Sequence, residues 1–442
     1  MGGKVNNKFS NLPAGWEVKT VEQIFDFYPT ASYSRDKMFD DYNPTAIGYI
    51  HYGDIHTKYN LILDVLNTKI PYISEELKKD FEYIKEGDLI LSDTSEDYEG
   101  VGKCIEILNV GSNKIISGLH TLMLRQKGND LIDGFKGYLF SGEYVRNSLL
   151  RIVTGIKVYS IAKAMLAKVD LPIPSIQEQK EITTILSKVD EAIASIQNSI
   201  AAAERLKKSL MQNLLTGKMK PDGTFRTPDE FYIDEKFGKV PTGWEVKRIK
   251  DFGEIQTGKT PPTDEPEVFS DKENVFMFIT PGDLDVAKYI EKTERYVSEK
   301  GIRYSYVLPK GSVCEVCIGS TIGKIGITTA KCCSNQQITS VIVNNEHDAE
   351  YLYYAMLSRR EHFKSVAGIN ATPQINKSGY SKYRVLCPKD KLEQIAIAKG
   401  ISSVDKSINE QKQKIESLEL LKKSLMQNLL TGKTQLFNSN RY

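Results

Sequence analysis

The run Lys-Lys-Ser-Leu-Met-Gln-Asn-Leu-Leu-Thr-Gly-Lys occurs twice, at residues 207–218 and 422–433. Twelve identical residues at a spacing of 215 make the chain an internal duplication, and whatever it folds into must accommodate two like copies. Each copy closes a long helical pattern. Ser175-x-x-Glu178 and Asp390-x-x-Glu393 stand at the same offset before the two copies. Both read as capping boxes, in which a short polar oxygen accepts from an orphan N–H while the Glu reaches back. Gly217 and Gly432 sit where a helix ends in the left-handed conformation.

Between those signals runs a heptad. In the first copy Ile182, Leu186, Val189, Ile193, Ile196, Ile200 and Ala203 are spaced alternately by four and three. In the second, Ile397, Ile401, Val404, Ile408, Gln411, Ile415 and Leu418 keep the same register, with Gln411 interrupting the apolar series. This spacing puts one seam on each helix and favours knobs-into-holes pairing. About 40 residues make a rod of roughly 60 Å, and the partner expected for one seam is the other. Two ordinary amphipathic core helices are the alternative. The narrow seam, and the Lys, Glu, Gln and Ser around it, favour the coiled coil.

A chain of 442 residues suggests two to four domains. No apolar run approaches a membrane span, and the first ten residues lack the apolar core of a signal peptide. Six Cys without scaffold spacing point to a reducing, cytoplasmic setting. With 59 basic and 57 acidic residues the net charge is only +2, which does not advertise nucleic-acid binding. Local patches or partner subunits can still supply a positive field.

Leu-Pro-Ala-Gly-Trp-Glu-Val-Lys at 12–19 opens the first unit and Val-Pro-Thr-Gly-Trp-Glu-Val-Lys at 240–247 the second, so the two Trp, Trp16 and Trp244, are equivalent. The division expected is a globular domain over 1–174, a helix over 175–218, a polar linker over 219–239, a second globular domain over 240–388, a second helix over 389–433, and a polar tail over 434–442. The globular parts differ in length and mostly in sequence. Faint echoes survive: Gly53-Asp54 with Gly282-Asp283, residues 85–91 with 309–315, and Gly102-Lys103 with Gly323-Lys324. Short β-rich runs at 88–92, 312–318 and 338–343 alternate with Gly, Ser and Asp turns. Helices are expected near 137–152 and 349–363. Both globular units therefore read as α/β with a small twisted sheet.

Residues 253–260 match the phosphate-loop pattern G-x-x-x-x-G-K-[ST] letter for letter. A true phosphate loop opens a helix, and here Pro261 and Pro262 follow at once and disfavour one. The equivalent segment of the first unit lacks the pattern. Cys314-x-x-Cys317 with Cys332-Cys333 is a poor zinc set, because a strand over 313–318 would turn Cys314 and Cys317 to opposite faces. The five His are scattered and no catalytic constellation stands out. The chain is expected to do no chemistry and to bind no metal or cofactor, which leaves binding as its work.

The paired Gly-Trp openers, Leu171-Pro-Ile-Pro174 leading into Gln177-Glu-Gln179, and the two copies of the twelve-residue run together resemble the specificity subunit of Type I restriction–modification systems. Residues 279–284, 319–326 and 334–337 are similar to that family's second target-recognition domain. The resemblance covers nearly the whole chain. It implies two globular α/β target-recognition domains separated by two long antiparallel coiled-coil helices, with an internal pseudo-twofold repeat. It implies that each domain reads one half of a split site in double-stranded DNA and that the helices act as a ruler. Two modification (methyltransferase) subunits would dock on the frame and restriction (translocase/nuclease) subunits would join it. S-adenosylmethionine, ATP and Mg are then expected on those partners.

Base identity is read by side chains on loops, while phosphate contacts position the frame. The loops at matched positions give Tyr33, Arg35, Lys37, His56, Lys58, Ser92, Thr94, Ser95, Lys157 and Tyr159 as DNA-binding candidates in the first unit. In the second they give Thr257, Lys259, Thr260, Ser320, Thr321, Lys324, Asn370, Thr372, Gln374 and Lys377. Two other readings compete: a coiled-coil scaffold without nucleic acid, supported by the low net charge, and a nucleotide hydrolase resting on residues 253–260 alone.

Overall fold

The computed structural model describes residues 12–43, 45–270, 275–368 and 373–434. The chain forms two compact units, one built on residues up to 197 together with those from 414 onward, the other on 198–413. The division falls inside both long helices, Ile176–Leu214 and Lys391–Leu429, each of 39 residues. Each unit therefore owns a globular part, the start of the helix that follows it, and the end of the other helix.

The first unit has a five-stranded sheet in the order Phe25–Tyr28, Thr121–Gln126, Leu89–Ser92, Cys104–Leu108, Ile62–Asp64. The second has Gly253–Thr257, Ile338–Val343, Val313–Val316, Ile325–Thr328, Tyr289–Ile290. In both, the first three pairings are antiparallel and the last is parallel. A smaller sheet lies beside each. Ala46–Ile50 pairs antiparallel with Tyr72–Ser74 and parallel with Ile115–Ser117. Phe276–Ile279 pairs the same way with Arg295–Val297 and Cys332–Ser334. Each opener forms a ribbon with the strand that leads into the helix, Glu17–Thr20 with Asp170–Ile173 and Trp244–Arg248 with Arg384–Pro388. The expected strands and helices are present, the latter as the pairs Lys136–Ser141 with Glu143–Leu150 and Ala349–Ser358 with Arg360–Val366. Sequence divergence has left this framework intact because alternation and turn residues, rather than particular side chains, determine it.

The near-identical residues gather where a helix starts and the other ends. Trp16 Nε1 donates to Glu178 Oε2 at 2.9 Å, and Trp244 Nε1 donates to Glu393 Oε1 at 3.1 Å. This corrects the expected capping boxes. Ser175 Oγ does accept from the Glu178 N–H at 3.3 Å, but the two Glu carboxylates turn to the indoles instead of back to the cap. Gln179 Nε2 donates to the Pro174 carbonyl and Gln394 Nε2 to that of Pro388, both at 2.9 Å. Gly432, at φ +71°, lies against Pro13, where an added Cβ would come within 2.4 Å of its ring. Gly217, at φ +66°, meets Pro241 at 2.2 Å in the same way. The repeated Thr-Gly-Lys ends each helix on the opener of a unit, and glycine is required twice over, by the left-handed turn and by the proline.

Within the first unit Tyr138 donates to Asp190 at 2.7 Å, and Lys422 bridges the same carboxylate at 2.6 Å. Within the second, Tyr354 and Lys207 do the same to Asp405. Lys207 meeting Asp405 while Glu204 meets Lys412 makes the two helices antiparallel there. Of the seam, Ile182, Leu186, Ile200, Ile397, Ile401 and Ile408 are buried, whereas Val189, Ile193, Ile196, Val404, Ile415 and Leu418 are half-buried. Burial is complete mainly where globular residues close over the pair, because two helices alone cover one face of a seam.

The stretch 219–239, expected as a plain linker, is ordered. Thr227 and Glu230 form a capping box around the Pro228–Glu230 turn, and Phe231–Asp234 pairs with Gly238–Pro241 as a hairpin. Arg226 inside it reaches the Glu393 carboxylate already held by Trp244. Polar composition hid a segment held by capping, by an ion pair and by the packing of Met219 and Phe237 against the core. No helix among the described residues is long and apolar enough to cross a membrane.

Candidate nucleic-acid interface

At one end of the first unit's sheets the chain after the central strand of the smaller sheet turns into the short helix Tyr52–Thr57. His51 caps it, with Nδ1 accepting from the Gly53 N–H at 3.1 Å. That bond requires an unprotonated Nδ1, and burial lowers the His51 pKa accordingly. Asp54 is fully buried and its Oδ1 receives Arg35 Nη2 at 2.7 Å and Lys58 Nζ at 2.9 Å. Both cations keep about half their side chains in solvent, so the buried carboxylate aims them without neutralising the face.

His56 Nε2 lies 3.1 Å from the Thr94 carbonyl and 3.0 Å from Ser92 Oγ. The Thr94 hydroxyl is 3.3 Å from His120 Nδ1, and the edges of His56 and His120 meet the Tyr52 ring at 6.0 and 5.3 Å. Thr94–Ser95 pairs with Tyr159–Ser160, and the Tyr98 and Tyr159 rings meet edge-on at 5.5 Å. Arg35, His56, Lys58, Thr94 and Tyr159 are thus brought together, and Lys157 projects from the exposed turn before Tyr159.

Ser92 and Ser95 are corrected. Both are buried, with hydroxyls engaged by Thr94, His56 and Asp97, and they shape the loop rather than face a ligand. Tyr33 is half-buried, with its backbone tied to the Tyr49 hydroxyl. Lys37 is exposed beside Asp36. Tyr52, Lys103 and His120 were missed. Lys103 Nζ donates to the His56 carbonyl at 3.1 Å, and burial lowers its pKa. Three His that look scattered in sequence converge here, a fact that only the fold supplies.

The matched end of the second unit is built from amides and hydroxyls. Asp283 is buried like Asp54, but its carboxylate receives the Thr280 N–H and hydroxyl, each at 2.7 Å, and the Glu294 N–H at 2.9 Å. It holds a turn instead of cations. The Thr260 hydroxyl donates to Gln336 Oε1, and Thr257 Oγ1 lies 3.2 Å from Thr339 Oγ1. Asn335 Nδ2 donates to Gln337 Oε1 at 3.0 Å. The Gly319 N–H donates to the Pro373 carbonyl at 2.9 Å, and Gln374 bridges to Ile318.

Thr257, Thr260 and Gln374 therefore gather around Asn335, Gln336 and Gln337, with Lys259 and Ser320 exposed beside them. Thr321 and Lys324 belong to the adjoining turn, where Lys324 Nζ reaches the Pro281 carbonyl at 3.4 Å. Lys377 is exposed in the first turn of the helix Lys377–Lys382. Asn370 and Thr372 lie outside the described residues. The three amides at 335–337 were visible in the sequence only as a family likeness.

Residues 253–257 form a strand, and no helix follows Thr260 in the Gly-Lys-Thr segment. Gly258 is pressed against residue 335, where an added Cβ would meet the carbonyl at 2.1 Å. The glycine serves close packing, and its N–H donates to the Ile338 carbonyl instead of facing a phosphate. Cys314 and Cys317 enter different cores, the one with Cys332 and Met277, the other with Tyr351 and Tyr380. Burial pushes the Cys314 thiol up to about 12, a protonated side chain rather than a ligand.

The family model described as Type I restriction modification DNA specificity domain matches residues 13–205 and 241–420. The chain is 25% identical over 439 residues to the Type I restriction enzyme MjaVIII specificity subunit of Methanocaldococcus jannaschii, spanning 94% of this chain and 99% of that protein. It is 32% identical over 175 residues to the HindI specificity subunit of Haemophilus influenzae, spanning 38% of this chain and 37% of that protein. In fold it is similar to the crystal structure of the Type I restriction–modification S subunit from M. genitalium, with a TM-score of 0.58 at 14% identity, over 96% of this chain and 97% of that one. Two matched segments, one on each repeat, agree with the duplicated strand order, and the chain belongs to the Type I restriction–modification DNA specificity family.

Proposed function

We propose that this chain is the DNA-reading subunit of a Type I restriction–modification complex and does no chemistry of its own. Each unit reads one half of a bipartite site in double-stranded DNA, and the helices set the spacing and dock two modification subunits. Restriction subunits join that core. S-adenosylmethionine, ATP and Mg belong to those partners.

The observation that carries this reading is one framework furnished twice with different chemistry. The strand order, ribbon and helix junctions are repeated, while the matched loops gather Arg35, Tyr52, His56, Lys58 and Thr94 in one unit and Thr257, Lys259, Thr260, Asn335, Gln336 and Gln337 in the other. That is the pattern expected where two readers must differ while a common frame holds them. Arg and Lys suit guanine, and Asn and Gln suit adenine, in the major groove.

The test is methylome sequencing in a host expressing the chain with its modification partner. A split motif with methyladenine in both halves is expected. Replacing residues 243–387 by those of a relative is expected to change one half alone. A stable complex with no sequence-selective binding would favour the coiled-coil scaffold instead.

A further inference from the structure

The two ribbons can be aligned residue by residue, because Lys19 faces Leu171 where Lys247 faces Val385. One step on, the first unit places Thr20 opposite Asp170, and the second places Arg248 opposite Arg384. Like charges directly across a two-stranded ribbon are destabilising. The pair lines a surface cavity of about 460 Å³ that also receives Lys236, Arg359, His362 and Lys382. None of these five cations forms an ion pair among the described residues.

Arg359 is held in place. Its guanidinium lies 4.7 Å from the centre of the Phe237 ring and 5.8 Å from that of Tyr383, and its Nε is buried without a partner. Tyr383 also contacts His362 Nδ1 at 2.9 Å, and burial and the neighbouring Arg359 charge lower the His362 pKa. Among the described residues the acids nearby form no ion pair with these cations, although, after the Lys236 and Phe237 N–H groups, the Arg384 charge also lowers the Asp234 pKa. Asp234 accepts the Lys236 and Phe237 N–H groups, Asp251 accepts the Arg248 N–H, and Glu361 pairs with Lys364.

We infer that this cavity is an oxyanion site for backbone phosphate of the DNA that the second unit reads, a clamp that the first unit lacks. The inference rests on the DNA-reading function proposed above. The helix Lys377–Lys382 links the two places. Its first residue follows Gln374 of the reading end by three positions in the chain, and its last lines the cavity. Six helical residues span about 9 Å, a distance that a duplex seated on the reading loops covers in about three phosphates of one strand. A guanidinium stacked as Arg359 is, beside two further guanidinium groups without carboxylate partners, suits phosphate, and a site that holds backbone alone contributes affinity without sequence preference.

The experiment measures binding of the complex with its modification subunits to target DNA as a function of salt. The first variant carries Arg248→Thr and Arg384→Asp, the residues of the other unit at the matched register. Its slope of log affinity against log salt is expected to be shallower by about two, with the methylated motif unchanged. Lys382→Ala, an exposed change, is expected to reduce the slope by about one, and it decides the matter if the double variant does not assemble. Slopes equal to wild type would overturn the clamp alone, as would a changed base preference in the second half-site. A wild-type complex that neither binds nor methylates DNA would overturn both the clamp and the reading function. If pyrophosphate raised the Tm of wild type but not of the double variant while the slopes stayed equal, the cavity would serve a free phosphate and the DNA clamp would be wrong.

Discussion

Both units bury a glutamate in the main sheet, on different strands and on different terms. Glu106 of the first unit accepts the Gly134 and Gly137 N–H groups at 2.7 and 2.8 Å and faces Lys136 Nζ at 3.4 Å. Glu315 of the second has one carboxylate oxygen buried without a partner, and burial pushes its pKa up to about 8 against the smaller pulls of Tyr380 and Arg360. The Gly102 N–H donates to the Ser92 carbonyl as the Gly323 N–H does to that of Val316, which aligns Glu315 with Leu91 and Glu106 with Ile327. Each acid stands where the other unit has a hydrocarbon. A shared backbone thus tolerates opposite local chemistry, provided each unit satisfies its own charge or keeps it protonated.

This contrast is sharpest at Lys136, which is 2% exposed. Lys136→Met leaves Glu106 an unpaired buried charge, and a loss of about 3–5 kcal/mol is expected in urea unfolding. Hydrogen exchange should place that loss in the first unit. An effect spread equally over both units would show that they are not separate folding bodies. The two indole–carboxylate bonds come next. Trp244→Phe is expected to cost about 1.5–3 kcal/mol for a bond to a charged acceptor, and Trp16→Phe less, because Trp16 is half-exposed whereas Trp244 is buried. Equal losses would mean that solvent does not distinguish the junctions.

Glu315 gives a pH dependence with a definite sign. Below the unfolded value of 4.5 both states hold the proton. Between 4.5 and about 8 the unfolded chain releases it while the folded chain retains it. Stability of the second unit therefore falls as pH rises through that window. Glu315→Gln should flatten the profile, and Glu315→Leu, which copies the first unit, should both flatten it and raise the Tm. A profile that keeps its slope in Glu315→Gln would assign it to another group. The smallest effect is expected in the second helix, where the Gln411 side-chain oxygen is buried without a partner. Gln411→Ile should gain about 1 kcal/mol, and a change of helix register on assembly would reveal that the polar seam position sets alignment.

Much of the architecture was legible in the chain. The heptads, the repeated run, the Pro-x-Gly-Trp openers and the turn glycines predict two α/β units and two long helices, because periodicity and backbone demands are local. The candidate interface was legible only in part. Arg35, His56, Lys58 and Thr94 are gathered in the first unit and Thr260 and Gln374 in the second, since loops at matched places in a repeat emerge on matched faces. Ser92 and Ser95 were misread because a polar residue in a loop sequence can still point inward. Tyr52, His120 and Asn335 were missed because their neighbours lie many residues away.

By itself the sequence determined that this protein is duplicated, that each copy ends in a capped helix with one apolar seam, and that the Gly-Lys-Thr match precedes prolines hostile to a phosphate-binding helix. Those statements need only spacing and backbone geometry. Tertiary structure decided that the identical twelve residues end each helix against the opener of a unit, and that the capping glutamates serve indoles. It also decided that five cations of the second unit share a cavity, two of them at the register where the first unit has Thr20 and Asp170. Side-chain partners far apart in the chain are chosen by where the strands and helices place them, and charge acquires its meaning only when the groups around it are known.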